Sequence, residues 1–169
     1  MNTIQDGITF GAKLDYSKLN GDKARLSRIA KIFEKKTSKY PNDVFKVETN
    51  DKGGIYFHPQ YANKDLCGLN SYDKGEISKR TTNFLNKYSD ETIANVLKKL
   101  LFIRRKADSM LADYFKLENK HGLTDKIYTE DDTILGEFFN SAMKVREDMT
   151  KIMLKRDGLL KKLKGISIT

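Results

Sequence analysis

Residues 89–122 read SDETIANVLKKLLFIRRKADSMLADYFKLENKHG, and the spacing within them decides the fold. Apolar side chains recur at Ile93, Val96, Leu97, Leu100, Ile103, Ala107, Met110, Leu111, Tyr114 and Leu117. Steps of three and four line them up on one stripe of a helix. Lys98, Lys99, Arg105, Lys106, Asp113 and Lys116 fall on the other face. Ser89 or Asp90 is placed to cap the first free N–H groups, and acids there suit the helix dipole. The helix is expected to stop at Asn119-Lys120-His121-Gly122, where cations precede a glycine that tolerates positive φ.

A second arm is expected to begin at Thr129-Glu130-Asp131-Asp132. Its stripe is Leu135, Phe138, Ala142, Val145, Met149 and Ile152, with Leu159 and Leu163 further on. Arg156 and Gly158 interrupt it, so a kink, a fray or the helix end is expected near Asp157-Gly158. Two such arms across a short polar link read as a long antiparallel helical hairpin with a coiled-coil-like seam. An arm of roughly 28 residues measures about 42 Å. That exceeds the width of a small domain, so part of the hairpin is expected to project or to pack on another chain.

The front half alternates instead. Ile8, Phe10, Ala12, Leu14 and Tyr16 share one face of a strand, with Gly11 marking a bulge or a close backbone approach. A helix follows, capped by Asn20 or Asp22 and running to about Lys39, with Leu26, Ile29, Ala30 and Phe33 inward. Tyr40-Pro41-Asn42-Asp43 ends it. Phe45 and Val47, then Ile55 and Phe57, predict a β-hairpin. Pairing 45 with 57 and 47 with 55 leaves Asn50-Asp51-Lys52 as the loop and puts Gly53 at a bulge needing positive φ. Residues 58–75 read as an irregular loop, and a short helix from Glu76 to Lys87 buries Ile77, Phe84 and Leu85. The expected architecture is α+β: a small β-α-β-β, antiparallel-containing sheet with one helix, then a short helix and the helical hairpin. Residues 1–75 form the small unit and 76–169 the hairpin with its basic tail, together one cooperative unit.

The chain has 169 residues and a net charge of +9, with a pI near 9.4. Its 25 lysines and 7 arginines are dispersed among acids, and only the tail from Lys144 to Lys164 concentrates them. Lysine in excess over arginine suits a solvated surface as well as a phosphate-binding one. The single cysteine, Cys67, precludes an internal disulfide and fits a reducing compartment, so a cytoplasmic location is expected. No apolar run is long enough to span a membrane, and membrane-surface contact by the tail is not the expected mode.

Two groups of residues carry the functional readings. Arg104, Arg105 and Lys106 in the first arm, with Lys155, Arg156, Lys161 and Lys162 in the tail, are the candidates for contact with a partner or a nucleic acid. His58, Tyr61, Cys67 and Tyr72 are the candidates around the irregular loop. His58 and Cys67 lack an orienting group and an oxyanion donor, and a cysteine beside leucines packs as a small hydrophobe. No histidine–cysteine spacing fits a metal, and Gly53-Gly54 lacks the helix and lysine of a phosphate loop. No cofactor is expected. The first reading is a non-enzymatic adaptor or regulatory module that binds a protein, or itself, through the hairpin. The second is nucleic-acid binding by the basic C-terminal helix and the outer face of the first helix. A distant third is an enzyme with its site at residues 58–72.

Overall fold

A computed structural model of the protein describes residues 11–67, 74–78, 81–121 and 135–166. The fold is α+β, with a four-stranded mixed sheet on one side and long helices on the other. The strands are β1 (Lys13–Asp15), β2 (Val44–Thr49), β3 (Ile55–Gln60) and β4 (Gly75–Ser78), in that spatial order. β1 runs parallel to β2, and the other neighbours are antiparallel. The parallel pair follows from α1 (Lys23–Lys36), which carries the chain back between them. Asp22 caps α1 by accepting the Ala24 N–H at 3.1 Å.

Period two decides which side chains reach the core. Leu14, Phe45, Val47, Ile55, Phe57 and Ile77 are all buried, and Leu26, Ile29, Ala30 and Phe33 of α1 cover them. Thr37, fully buried after α1, joins helix to sheet: its hydroxyl accepts the Ala12 N–H at 3.0 Å and donates to the Phe33 carbonyl at 2.9 Å. Gly11 is the close approach the alternation implied, because a Cβ there would overlap the Glu34 carbonyl oxygen. Residues 8–10 lie outside the described residues.

Three local expectations are corrected. The β2–β3 register is Phe45↔Pro59, Val47↔Phe57 and Thr49↔Ile55, two residues from the predicted pairing. A two-residue slip keeps every side chain on its own face, so the alternation alone could not exclude it. The loop chemistry selects the longer turn: Asn50 Oδ1 accepts the N–H groups of Lys52 at 3.1 Å and Gly54 at 2.8 Å. Gly53 has φ +80°, as expected. The region after residue 58 is also more regular than predicted. β3 continues to Gln60 and α2 (Lys64–Cys67) follows. Finally, Glu76 starts no helix: Gly75–Ser78 is the fourth strand, and α3 (Thr81–Lys87) comes after it. Ile77 is buried in either conformation, which is why helix and strand were hard to separate.

The hairpin consists of α4 (Asp90–His121) and α5 (Leu135–Ile166), 32 residues each and so about 48 Å long. α4 starts against α1, where Asp90 pairs with Arg25 at 2.8 Å and Arg28 at 3.2 Å. α5 packs along α4 and brings Leu163 back into the same core as Phe57, so the helices are antiparallel. α5 runs unbroken through Gly158, without the predicted kink or end. The helix tolerates this glycine because its backbone hydrogen bonds continue and open space lies beside it. The predicted cap at residues 129–132 falls outside the described residues.

Two glycines should therefore respond oppositely to alanine. Gly158→Ala meets nothing within 4 Å and should stabilise the protein by about 0.5–1 kcal/mol. Gly11→Ala should cost about 1–3 kcal/mol, because the Glu34 backbone must shift. Urea unfolding of the two variants measures both.

Candidate functional site

The turn at Tyr40-Pro41-Asn42-Asp43 organises the interior chemistry. Asn42 has φ 72°, and proline followed by such a residue is the pattern of a type II turn. The turn aims two groups at α4: the Tyr40 ring and the Asp43 carboxylate. Arg105 meets both. Its guanidinium stands 4.2 Å from the Tyr40 ring centroid and 5.3 Å from that of Tyr61, and Nη1 donates to Asp43 Oδ2. Asp43 Oδ1 accepts the Ala62 N–H at 2.8 Å, and its carbonyl accepts the Lys13 N–H at the same distance. One aspartate thus ties together β1, the segment after β3 and α4.

A second ion pair lies one residue earlier on α4. Arg104 Nε donates to Asp108 Oδ2 at 3.0 Å, and the Tyr61 hydroxyl donates to the same oxygen at 2.6 Å. Arg104, Asp108 and Tyr61 are all buried. Burial and the neighbouring Asp108 carboxylate push the Tyr61 phenol far up, so it stays protonated and keeps donating. Asp108 Oδ1 has no hydrogen-bond partner among the described residues. Two guanidinium groups against two carboxylates leave the network electrically balanced. Each guanidinium is paired with a carboxylate from another part of the network, so the group ties α4 to the sheet and its connecting segments.

The candidate residues therefore separate. Arg104, Arg105 and Tyr61 are committed to the interior, and Tyr61 is not presented for stacking on a base. Lys106, Lys155, Lys161 and Lys162 are exposed. Arg156 occupies a seam position of α5, and its Nε is buried with no hydrogen-bond partner among the described residues. His58 sits on β3 opposite Lys46, with Nδ1 buried and likewise unpartnered. Partial burial, then Lys74, Arg104 and Lys46, hold its imidazole below the usual histidine range, so it is neutral at pH 7. Cys67 ends α2, and Tyr72 lies outside the described residues. Among the described residues no three His, Cys, Asp or Glu side chains gather to hold a metal ion, and no helix is long and apolar enough to cross a membrane.

Two features escaped the sequence reading. Asp43 stands out in the sequence only as part of a turn, and Asp108 is not singled out at all. The signal was there at Asp108, four residues beyond Arg104 and on the same helical face. The other feature is the outer hairpin surface. Phe115 is 42% exposed, Met143 52% and Leu154 66%. Met143 and Leu154 are eleven residues apart, about three turns, so they share one face of α5. Lys144, Lys151, Lys155 and Lys162, spaced seven, four and seven, form a second exposed line on that helix. Glu147 meets only one of them, Lys151, at 3.2 Å.

Arg105→Met removes one half of a buried pair and strands the Asp43 carboxylate. It should cost about 3–5 kcal/mol of stability, and adding Asp43→Asn should restore part of it. Chemical denaturation of the two single variants and the double variant measures the coupling.

Comparison of the chain with protein-family models, with curated proteins and with solved structures found no match.

Proposed function

We propose that the protein is a non-catalytic binding module whose helix α5 docks an acidic amphipathic helix of a protein partner. The observation that carries this is the pairing of two lines on α5: exposed Met143 and Leu154 beside exposed Lys144, Lys151, Lys155 and Lys162. Large apolar side chains left in water gain about 1.5–3 kcal/mol each when a partner covers them. The lysine line spans 18 residues, about 27 Å, and favours a partner of opposite charge. It disfavours a second copy of this chain, which carries +9 of its own. The interior polar residues serve this role by holding α4 still, so that α5 has a rigid support.

Nucleic acid is the competing ligand, because the same lysine line would track a phosphate backbone. The apolar line separates the two readings, since phosphates have no use for Met143 and Leu154. The test is fluorescence anisotropy with a synthetic Glu/Leu heptad peptide about 27 Å long as a helix, and with a random oligonucleotide, each across a salt series. The peptide should bind, and Leu154→Glu with Met143→Glu should weaken it at least about tenfold without lowering thermal stability. Oligonucleotide binding with a steep salt slope, unchanged by those substitutions, would replace this reading with the nucleic-acid one. Peptide binding that ignores the substitutions would overturn it.

A further inference from the structure

A cleft of about 420 Å³ opens between β4 and the last two turns of α5. Its floor is the core itself: Phe57 and Leu163, both buried, with half-buried Leu160. Gly75 lets the Phe57 ring lie across the bare backbone of β4, because a side chain there would overlap that ring. The rim carries Lys74, Glu76 and Lys164. Lys74 is engaged by Glu48, while Lys164 is exposed and has no ion pair among the described residues.

We infer that this cleft binds a small amphipathic carboxylate, its apolar body on Phe57, Leu160 and Leu163 and its head group on Lys164. The volume lies within the range of small-molecule sites, and an apolar floor with a few polar groups at the edge is their usual composition. The rim decides the head group. Glu48 already matches Lys74, and the rim cation with no ion pair among the described residues is Lys164, the group placed to receive an anionic head. A neutral head would leave that charge unused. The site is separate from the outer face of α5, because Leu160 and Leu163 face the sheet whereas Met143 and Leu154 face away from it.

Decanoate, with twelve non-hydrogen atoms, is a suitable probe below its micellar concentration, with decanol as the neutral control. Methyl NMR of the whole chain reports on both leucine sets at once. Decanoate should shift the Leu160 and Leu163 methyl signals saturably and leave Leu154 unmoved. Lys164→Gln should weaken decanoate about tenfold and leave decanol unchanged, since the residue is exposed and the fold does not rest on it. Leu160→Trp should abolish both by filling the space. Non-saturating shifts, shifts as large at Leu154, or a Lys164→Gln protein that binds decanoate normally would each overturn the assignment. A rise in sedimentation mass on adding decanoate would do so too, by showing that a second copy takes the cleft.

Discussion

Two arginines and two aspartates inside the core fix where α4 sits, and the rest of the molecule is built against α4. An ion pair removed from water is costly to form and costlier to leave half-made. Arg104–Asp108 and Arg105–Asp43 therefore act as constraints more than as sources of net stability. Turning α4 by one residue would carry Arg104 away from Tyr61 and break the contact between Arg105 and Asp43. The pairs thus specify one rotation and one height for the helix, where an all-apolar stripe would accept several. Tyr40 and Tyr61 complete the arrangement by giving the Arg105 guanidinium flat faces to rest on.

From that fixed position α4 serves two layers. Ile93, Leu97, Leu100 and Leu101 join the core formed by the sheet and α1, while α5 lies along another side. The two arms of the hairpin consequently have different characters despite equal length. α4 buries residues from Ile93 through Ala112. Of the α5 side chains described, Met149 and Leu163 are the buried apolar ones, while Val145, Ile152, Leu159 and Leu160 remain half-exposed. One helix is scaffold, and the other is surface. Beyond Ala112, α4 leaves the shelter of the sheet, and Phe115 emerges although it continues the inward stripe.

The elements set by long periodic stretches were legible in the sequence: the helix α4, the stripe of α1 and the alternation of β2 and β3 all stand, while the first predicted strand is reduced to Lys13–Asp15 among the described residues. What could not be read depended on contacts distant in the chain. The β2–β3 register turned on how the Asn50 side chain closes its own loop. The strand at Gly75–Ser78 turned on its pairing with β3, about twenty residues earlier in the chain, since four residues are too few for period two to outvote 3.6. The surroundings of the candidate arginines were hidden through the same cause. Arg104 and Arg105 look alike in a list of bases, and only the carboxylates of Asp43 and Asp108 draw them inward. Lys155 and Lys162 have no such partners among the described residues and stay in water.

Native-state hydrogen exchange tests most directly whether α4 is the scaffold and α5 the surface. Amides of α4 from Ile93 to Ala112 should exchange only when the whole protein unfolds. Amides of α5 from Met143 to Gly158 should exchange at least roughly a hundredfold faster, through local opening that leaves the sheet and α4 intact, a gap of about 3 kcal/mol. Equal protection along both helices would show that α5 belongs to the same cooperative core, and the division of labour between the two arms would not stand.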